Sequence, residues 1–268
     1  MNDPAQGSLR GPILAIETST VVARVVVLEM STGARLAAAE AVAERHSSNL
    51  LRLCVETTEK AGVAIVGLGG IACGRGPGSF TGLRVGLSVA KGFAMPTGVP
   101  LVMVSSLEAL AMDMLPESLP GEWLLPCLDA GKGQVYAALF RAPEGKGEGK
   151  GKGESEGIRE GEADVAADAP TVISRSDEWV VTPELLLGQL PAAGAILTAG
   201  PGALRYRDAL VAGLGARGRI VEIAGPSADS VGARARSRLA RGQGDDLGAA
   251  VPSYGRPPDI TPPRRRSL

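Results

Sequence analysis

Between residues 74 and 82 the chain reads Gly-Arg-Gly-Pro-Gly-Ser-Phe-Thr-Gly, with an apolar run before it and a helical pattern after it. Glycines at such a place permit positive φ and close backbone approach, and a helix that starts just beyond turns free N–H groups toward an anion. Gly76, Gly78 and Ser79 are the residues such a loop would use. No lysine precedes a Ser or Thr here, so this is not a Walker-type loop. Pro77 stands where a nucleophile elbow needs its first glycine. Spacing alone leaves a structural turn and an anion-binding loop equally open. The single histidine, His46, excludes a His-rich zinc or iron site built from this chain, and a Ser-His-Asp triad would have to use that one residue. A lone His ahead of a helix reads as a capping or surface residue. Cys54, Cys73 and Cys127 are odd in number and far apart, which makes neither a disulfide framework nor a CxxC site. They read as small buried hydrophobes in a reducing compartment.

The elements that must position these residues follow from patterning. Residues 12–16 and 21–28 read as strands around the polar Glu17-Thr18-Ser19-Thr20 corner, and Ser31-Thr32-Gly33 turns the chain into a third strand at 34–42. A helical stretch to Ala61, a short strand at 71–73, a helix over 80–94 and a strand at 101–104 come next. Ser105 and Glu108 then have capping-box spacing at the start of another helix. A meander followed by alternating helix and strand implies a mixed sheet covered by helices, an α/β fold. A second α/β half opens near Trp123, where 124–130 and 134–140 flank a Gly131-Lys132-Gly133 turn as a hairpin. Strand material at 171–181, a helix capped by Thr182-Pro183, strands at 195–198 and 220–223, a helix after Gly202 and a basic helix at 230–241 complete it. The expected units are therefore 1–116, 117–250 and an extended tail over 251–268. The Gly- and charge-rich stretch at 143–169 reads as a disordered insert.

Composition narrows the function. Lys and Arg total 28 against 29 Asp and Glu, a net charge of -1, which argues against a general nucleic-acid coating protein. Two Trp, three Tyr and three Phe supply few platforms for stacking bases or sugars. No window approaches the roughly 18 apolar residues of a membrane span, and the opening residues lack a signal-peptide core, so a cytoplasmic protein is expected.

Two helices are more apolar than a helix lying on a sheet needs to be. On a wheel at about 100° per residue, residues 82–94 place Arg84, Ser88, Lys91 and Gly92 on one side. Gly82, Leu83, Val85, Gly86, Leu87, Val89 and Ala90 fill the rest with Phe93 and Ala94. Residues 50–61 likewise gather Arg52, Glu56, Glu59 and Lys60, and spread Leu50, Leu51, Leu53, Cys54 and Val55 over the other side. An apolar stripe a little over about 100° wide suffices for one buried face. The surplus must be buried in the other helix or in another chain. Gly82 and Gly86 would let a neighbouring helix come close.

The blocks 13–20, 74–94, 101–111 and 125–140, in this order and spacing, resemble the bacterial TsaB (YeaZ) family, and Pro252-x-Tyr254-x-Arg256 resembles the family's C-terminus. The resemblance covers 12–140 well and 170–255 weakly. It implies two ribonuclease H-like halves of the actin/Hsp70/sugar-kinase superfamily. It implies a role in making N6-threonylcarbamoyladenosine at position 37 of tRNA, as the heterodimer partner of a TsaD-like catalytic subunit to which a TsaE-like ATPase binds. The interface in that family is a helix bundle from this half, which points to the two wide helices. Catalytic relatives similar to TsaD carry an H-x-E-A-H block where this chain has Ser106-Leu107-Glu108-Ala109-Leu110, so both metal-binding histidines are missing. Sugar-kinase and Hsp70 relatives orient Mg²⁺ with an acid where Glu17, Thr18 and Ser19 sit, and start a second phosphate turn where Asp129 sits. These residues, with Gly76, Gly78 and Ser79, are the expected nucleotide or anion contacts if there are any; polar hairpin corners are the plainer reading. The resulting expectation is a non-catalytic scaffold subunit with no metal and no cofactor of its own, ATP or ADP at the complex interface, tRNA contacted weakly or through the partner, and no membrane. The competing readings are an ATP-dependent phosphotransferase or metallopeptidase of the same superfamily acting alone, and a homodimer built on the same helices.

Overall fold

The computed structural model describes residues 11–42, 47–144 and 172–255. His46, the expected insert from residue 145 onward and the tail beyond Gly255 lie outside the described residues.

The first sheet has five strands: β1 (Ile13–Glu17), β2 (Val22–Leu28), β3 (Arg35–Val42), β4 (Gly70–Gly76) and β5 (Leu101–Ser105), in the order β3-β2-β1-β4-β5. β1 to β3 form an antiparallel meander, while β4 and β5 run parallel to β1. The second sheet repeats this plan. β6 (Trp123–Gly131), β7 (Gln134–Ala137), β10 (Trp179–Val181), β11 (Ile196–Ala199) and β12 (Gly218–Val221) lie in the order β10-β7-β6-β11-β12. Again there are two antiparallel neighbours on one side of the first strand and two parallel ones on the other. The strand expected at 134–140 divides into β7 and β8 (Phe140–Arg141), because β6 pairs with β7 at its C-terminal end and with β8 at its start. β8 then carries the short β9 (Ile173–Ser174).

Burial in the first sheet alternates by face, as the pleat requires. Leu14, Ile16, Val25, Ile71 and Cys73 point to α1 (Ser47–Lys60) and α2 (Phe80–Thr97). Ile13, Ala15, Val26, Ala72 and Val102 point to the opposite face. All four apolar residues of β1 are fully buried, which is why its sequence is a continuous hydrophobic run rather than an alternation. Cys54, Cys73 and Cys127 are free and buried, and burial pushes the thiols of Cys54 and Cys127 up to about 12.

The helices between the sheets correct the expected division of the chain. α3 (Ser106–Asp113), assigned by sequence to the first half, sends Leu107, Leu110 and Ala111 into the core of the second sheet with Leu124, Leu128 and Phe140. α7 (Ala228–Leu239), assigned to the second half, sends Val231, Ala235 and Leu239 into the first sheet's open face, beside Ile13, Val26 and Val102. Asp245 hydrogen-bonds the Met103 amide (2.6 Å) and Ala250 joins the first sheet's other core. Each half is thus covered by a helix from the other's stretch of sequence, so the boundary near 116 and the assignment of 228–250 to the second half do not hold. α4 (Pro183–Leu187), α5 (Pro201–Arg205) and α6 (Arg207–Leu214) cover the far face of the second sheet. Among the described residues no helix is long and apolar enough to cross a membrane.

Candidate functional site

Two places bring together residues singled out by sequence. The first is the corner where β1 ends. Glu17 is fully buried. Its Oε1 accepts the Ser19 amide at 2.5 Å and its Oε2 accepts the Ser106 hydroxyl at 2.9 Å. Burial pushes its pKa up, against the pull of these hydrogen bonds. The loop after β4 closes over the corner: the Ser79 amide donates to the Ser19 carbonyl at 2.8 Å, and the Ser79 hydroxyl caps α2 by accepting from the Gly82 amide at 3.2 Å.

The glycines around this corner serve close packing. A side chain at Gly74 would strike the Glu17 carboxylate, one at Gly78 would strike Ser19, and one at Gly82 or Gly86 would strike Thr18. Two expectations are corrected here. Gly82 and Gly86 admit the Thr18 turn of the same chain rather than a partner helix. Glu17, Thr18 and Ser19, at 0, 4 and 4 % exposure, offer no open surface to a phosphate. The Thr18 and Ser19 hydroxyls are enclosed without hydrogen-bond partners. Gly76 is also buried, against Leu83 and Ser253, which leaves Gly78 partly open and Ser79 exposed. Asp129 belongs to a separate corner in the second half, where it accepts the Gly131 amide at 2.9 Å and pairs with Arg205 at 2.6 Å. Glu17, Thr18 and Ser19 therefore offer no surface to a bound nucleotide in this conformation. Nor do Ser106 and Leu110 fit a metal: one is committed to Glu17 and the other is fully buried in the core. Among the described residues no three His, Cys, Asp or Glu side chains gather as a metal would require. The Ser106–Glu17 bond was missed in the sequence because the two residues are 89 positions apart.

The second place is the outer face of α1 and α2. The wide apolar arcs divide in two. Leu50, Cys54, Leu83, Gly86, Leu87 and Ala90 are buried in the protein's own core and are unavailable to a partner in this fold. Leu51 is 48 % exposed, and Leu53, Val55, Val85 and Val89 are half-buried. An open groove of about 620 Å³ runs between the helices, lined by Leu51 from α1 and by Arg84, Val85, Ser88, Val89, Gly92 and Phe93 from α2. Phe80, 55 % exposed, extends this face under the Arg84 guanidinium, which sits 4.7 Å from its ring centre. Phe80 was absent from the expected interface because the helical wheel took in only residues 82–94 of the helix expected over 80–94.

Two sheets of one topology, each a three-stranded meander flanked by two parallel strands, with shared helices between them, define a pair of ribonuclease H-like halves of the actin/Hsp70/sugar-kinase superfamily. A family model described as TsaD, tRNA N6-adenosine threonylcarbamoyltransferase, matches residues 38–146. The tRNA threonylcarbamoyladenosine biosynthesis protein TsaB of Escherichia coli is 31% identical over 139 residues, covering 49% of this chain and 56% of that protein. The TsaB of Bacillus subtilis is 32% identical over 136 residues, covering 50% and 56%. The chain thus spans about half the length of the curated relatives it matches. A solved structure of YeaZ from Pseudomonas aeruginosa superposes with a TM-score of 0.69 at 26% identity, covering 91% of this chain and 99% of that one. Over about half its length the chain is similar to TsaB (YeaZ) proteins in sequence, and over nearly its whole length it is similar to YeaZ in fold.

Proposed function

We propose that this chain is a non-catalytic subunit of the assembly that forms N6-threonylcarbamoyladenosine on tRNA, and that it docks a TsaD-type catalytic subunit through α1 and α2. The observation that carries this reading is the apolar groove between those helices, open to solvent on the outer face of a chain whose own acidic corner is sealed. A helix of the partner laid in the groove would cover Leu51, Val85 and Val89 and give Arg84 a place at the rim. The corner supports the same reading from the other side. An acid with both oxygens committed to Ser19 and Ser106 is not free to orient a metal or activate water. ATP or ADP, where the assembly uses it, lies at the boundary with the partner. A TsaE-type ATPase joins the assembled pair, and tRNA is held through the partner. The names of the relatives support the pathway, and the groove supports the proposed role within it.

The test is reconstitution from purified parts of one organism. The chain alone should modify no tRNA, a TsaD-type subunit alone should modify little, and the two with a TsaE-type ATPase should restore threonylcarbamoylation. Modification by the chain alone, or full activity without it, would refute the proposal.

A further inference from the structure

We infer that the C-terminal segment Ser253–Gly255 is a clasp that fixes the angle between the two halves. The halves are joined by α3 and α7, which they share. Two α/β bodies joined by a pair of helices are expected to move relative to one another unless something else holds them. At the end of β4, beside the start of α3, the chain's last described residues cross from one half to the other. The Ser253 amide donates to the Arg75 carbonyl at the end of β4 (2.7 Å). The Tyr254 ring lies against Phe80 of α2, with centroids 4.7 Å apart and planes at 37°. One step further the contacts belong to the second half: the Tyr136 hydroxyl on β7 donates to the Tyr254 carbonyl at 3.1 Å. Gly255, at φ +63, lies so close to the Tyr136 ring that a Cβ there would come within 2.7 Å of it. The tail expected to be extended from Val251 is therefore held against both halves through residue 255.

A second contact beside the clasp has the same sense. Glu178, just ahead of β10 in the second half, accepts the Ser105 hydroxyl at 2.8 Å and faces Arg75 at 3.5 Å, both in the first half. Ser105 also caps α3, so the carboxylate ties the second half to the helix both halves share. Three consecutive residues and one carboxylate thus bridge the halves beside the start of α3. A protein that must open and close around a ligand has no use for such a fastening, whereas a rigid platform does. The inference concerns the geometry of the free chain and does not depend on what docks on α1 and α2.

The experiment uses the full chain with spin labels on cysteines placed at Lys60 and Ala212, exposed positions on opposite halves. The three native cysteines are fully buried and escape labelling. The parent should give one narrow distance distribution. Tyr254→Ala with Glu178→Gln should broaden it about twofold while helix content stays at the parent's value. Tyr136→Phe, which removes one hydroxyl and no packing, should broaden it less. Arg35→Ala, which breaks an exposed ion pair to Asp229 away from the clasp, should leave it unchanged. A parent distribution already broad, or a Tyr136→Phe and a double variant both as narrow as the parent, would overturn the clasp.

Discussion

Glu17 shows how an acid can be retained where its usual chemistry is absent. It ends a strand that is buried on both faces, and its carboxylate has two donors, Ser19 N–H and Ser106 O–H, but no neighbouring cation among its recorded partners. Burial disfavours the charged form, so its folded-state pKa lies above the ordinary 4.5. The sign of the pH dependence follows. Native protein takes up this proton at pH values where the unfolded chain has already lost it, so the group's contribution is fully favourable below 4.5 and is lost as pH rises through the folded value. Glu17→Gln keeps an acceptor for Ser19 and offers a donor to Ser106 without a charge. Urea denaturation should therefore find this variant gaining on the parent between pH 5 and pH 8. Glu17→Ala should cost about 2–4 kcal/mol at either pH, since it leaves two buried donors unpaired and a cavity beneath the loop. A Gln variant that instead loses ground to the parent as pH rises would mean that the ionised carboxylate stabilises the fold.

The helices α1 and α2 mark how far a sequence pattern reaches. Their excess apolar width was legible, because a period of 3.6 residues reports how wide an arc is. It does not report what covers the arc, and here one continuous arc serves two surfaces. Leu83 and Leu87 go to the core, while Val85 on the same helix stays half-exposed in the groove. The glycines were misread for a related reason: small residues at helical spacing reveal a close approach but not its partner, which is Thr18, more than sixty positions earlier. The division can be tested by single charges. Glu in place of Leu87 or Leu50, both at least nine-tenths buried, should cost several kcal/mol and unfold much of the population. Glu in place of Leu51 or Val85 should leave the circular dichroism spectrum and melting temperature close to the parent's, yet weaken capture of a TsaD-type subunit at least about tenfold. Retained capture by both groove variants would move the docking face elsewhere. Unfolding of both would mean that the groove closes on itself in solution.

At the scale of the whole molecule the strands and the first meander were readable from apolar runs and turn residues, whereas two halves of one topology were implied only by the family resemblance. The exchange of helices between the halves was not readable. α3 and α7 each look like ordinary amphipathic helices beside their sequence neighbours, and which sheet they cover is decided by tertiary packing, for α7 with strands more than a hundred residues earlier. Asp113 sits at the junction, accepting from the Ser227 amide and from the Ser227 and Ser230 hydroxyls at 2.6–2.7 Å, and so fastens the end of α3 to the start of α7. The consequence is that neither half is a folding unit as the sequence divides them. A fragment of residues 1–116 keeps its α1–α2 core apart from Leu247 and Ala250, but leaves Ile13, Ala15, Val26, Leu28 and Val102 without Val231, Ala235 and Leu239, and exposes the side of α3 that the second sheet normally covers. A sheet with one large apolar face in water does not hold a unique fold. That fragment should show poor amide dispersion by NMR and no cooperative thermal transition. Joining residues 226–250 to it through a flexible linker restores α7 and its Asp113 contacts, and should recover both dispersion and cooperativity even with α3 unpacked on its outer side. Cooperative folding of the fragment alone would show that α1, α2 and the five strands suffice, and that α7 merely decorates a face the sheet can hide by other means.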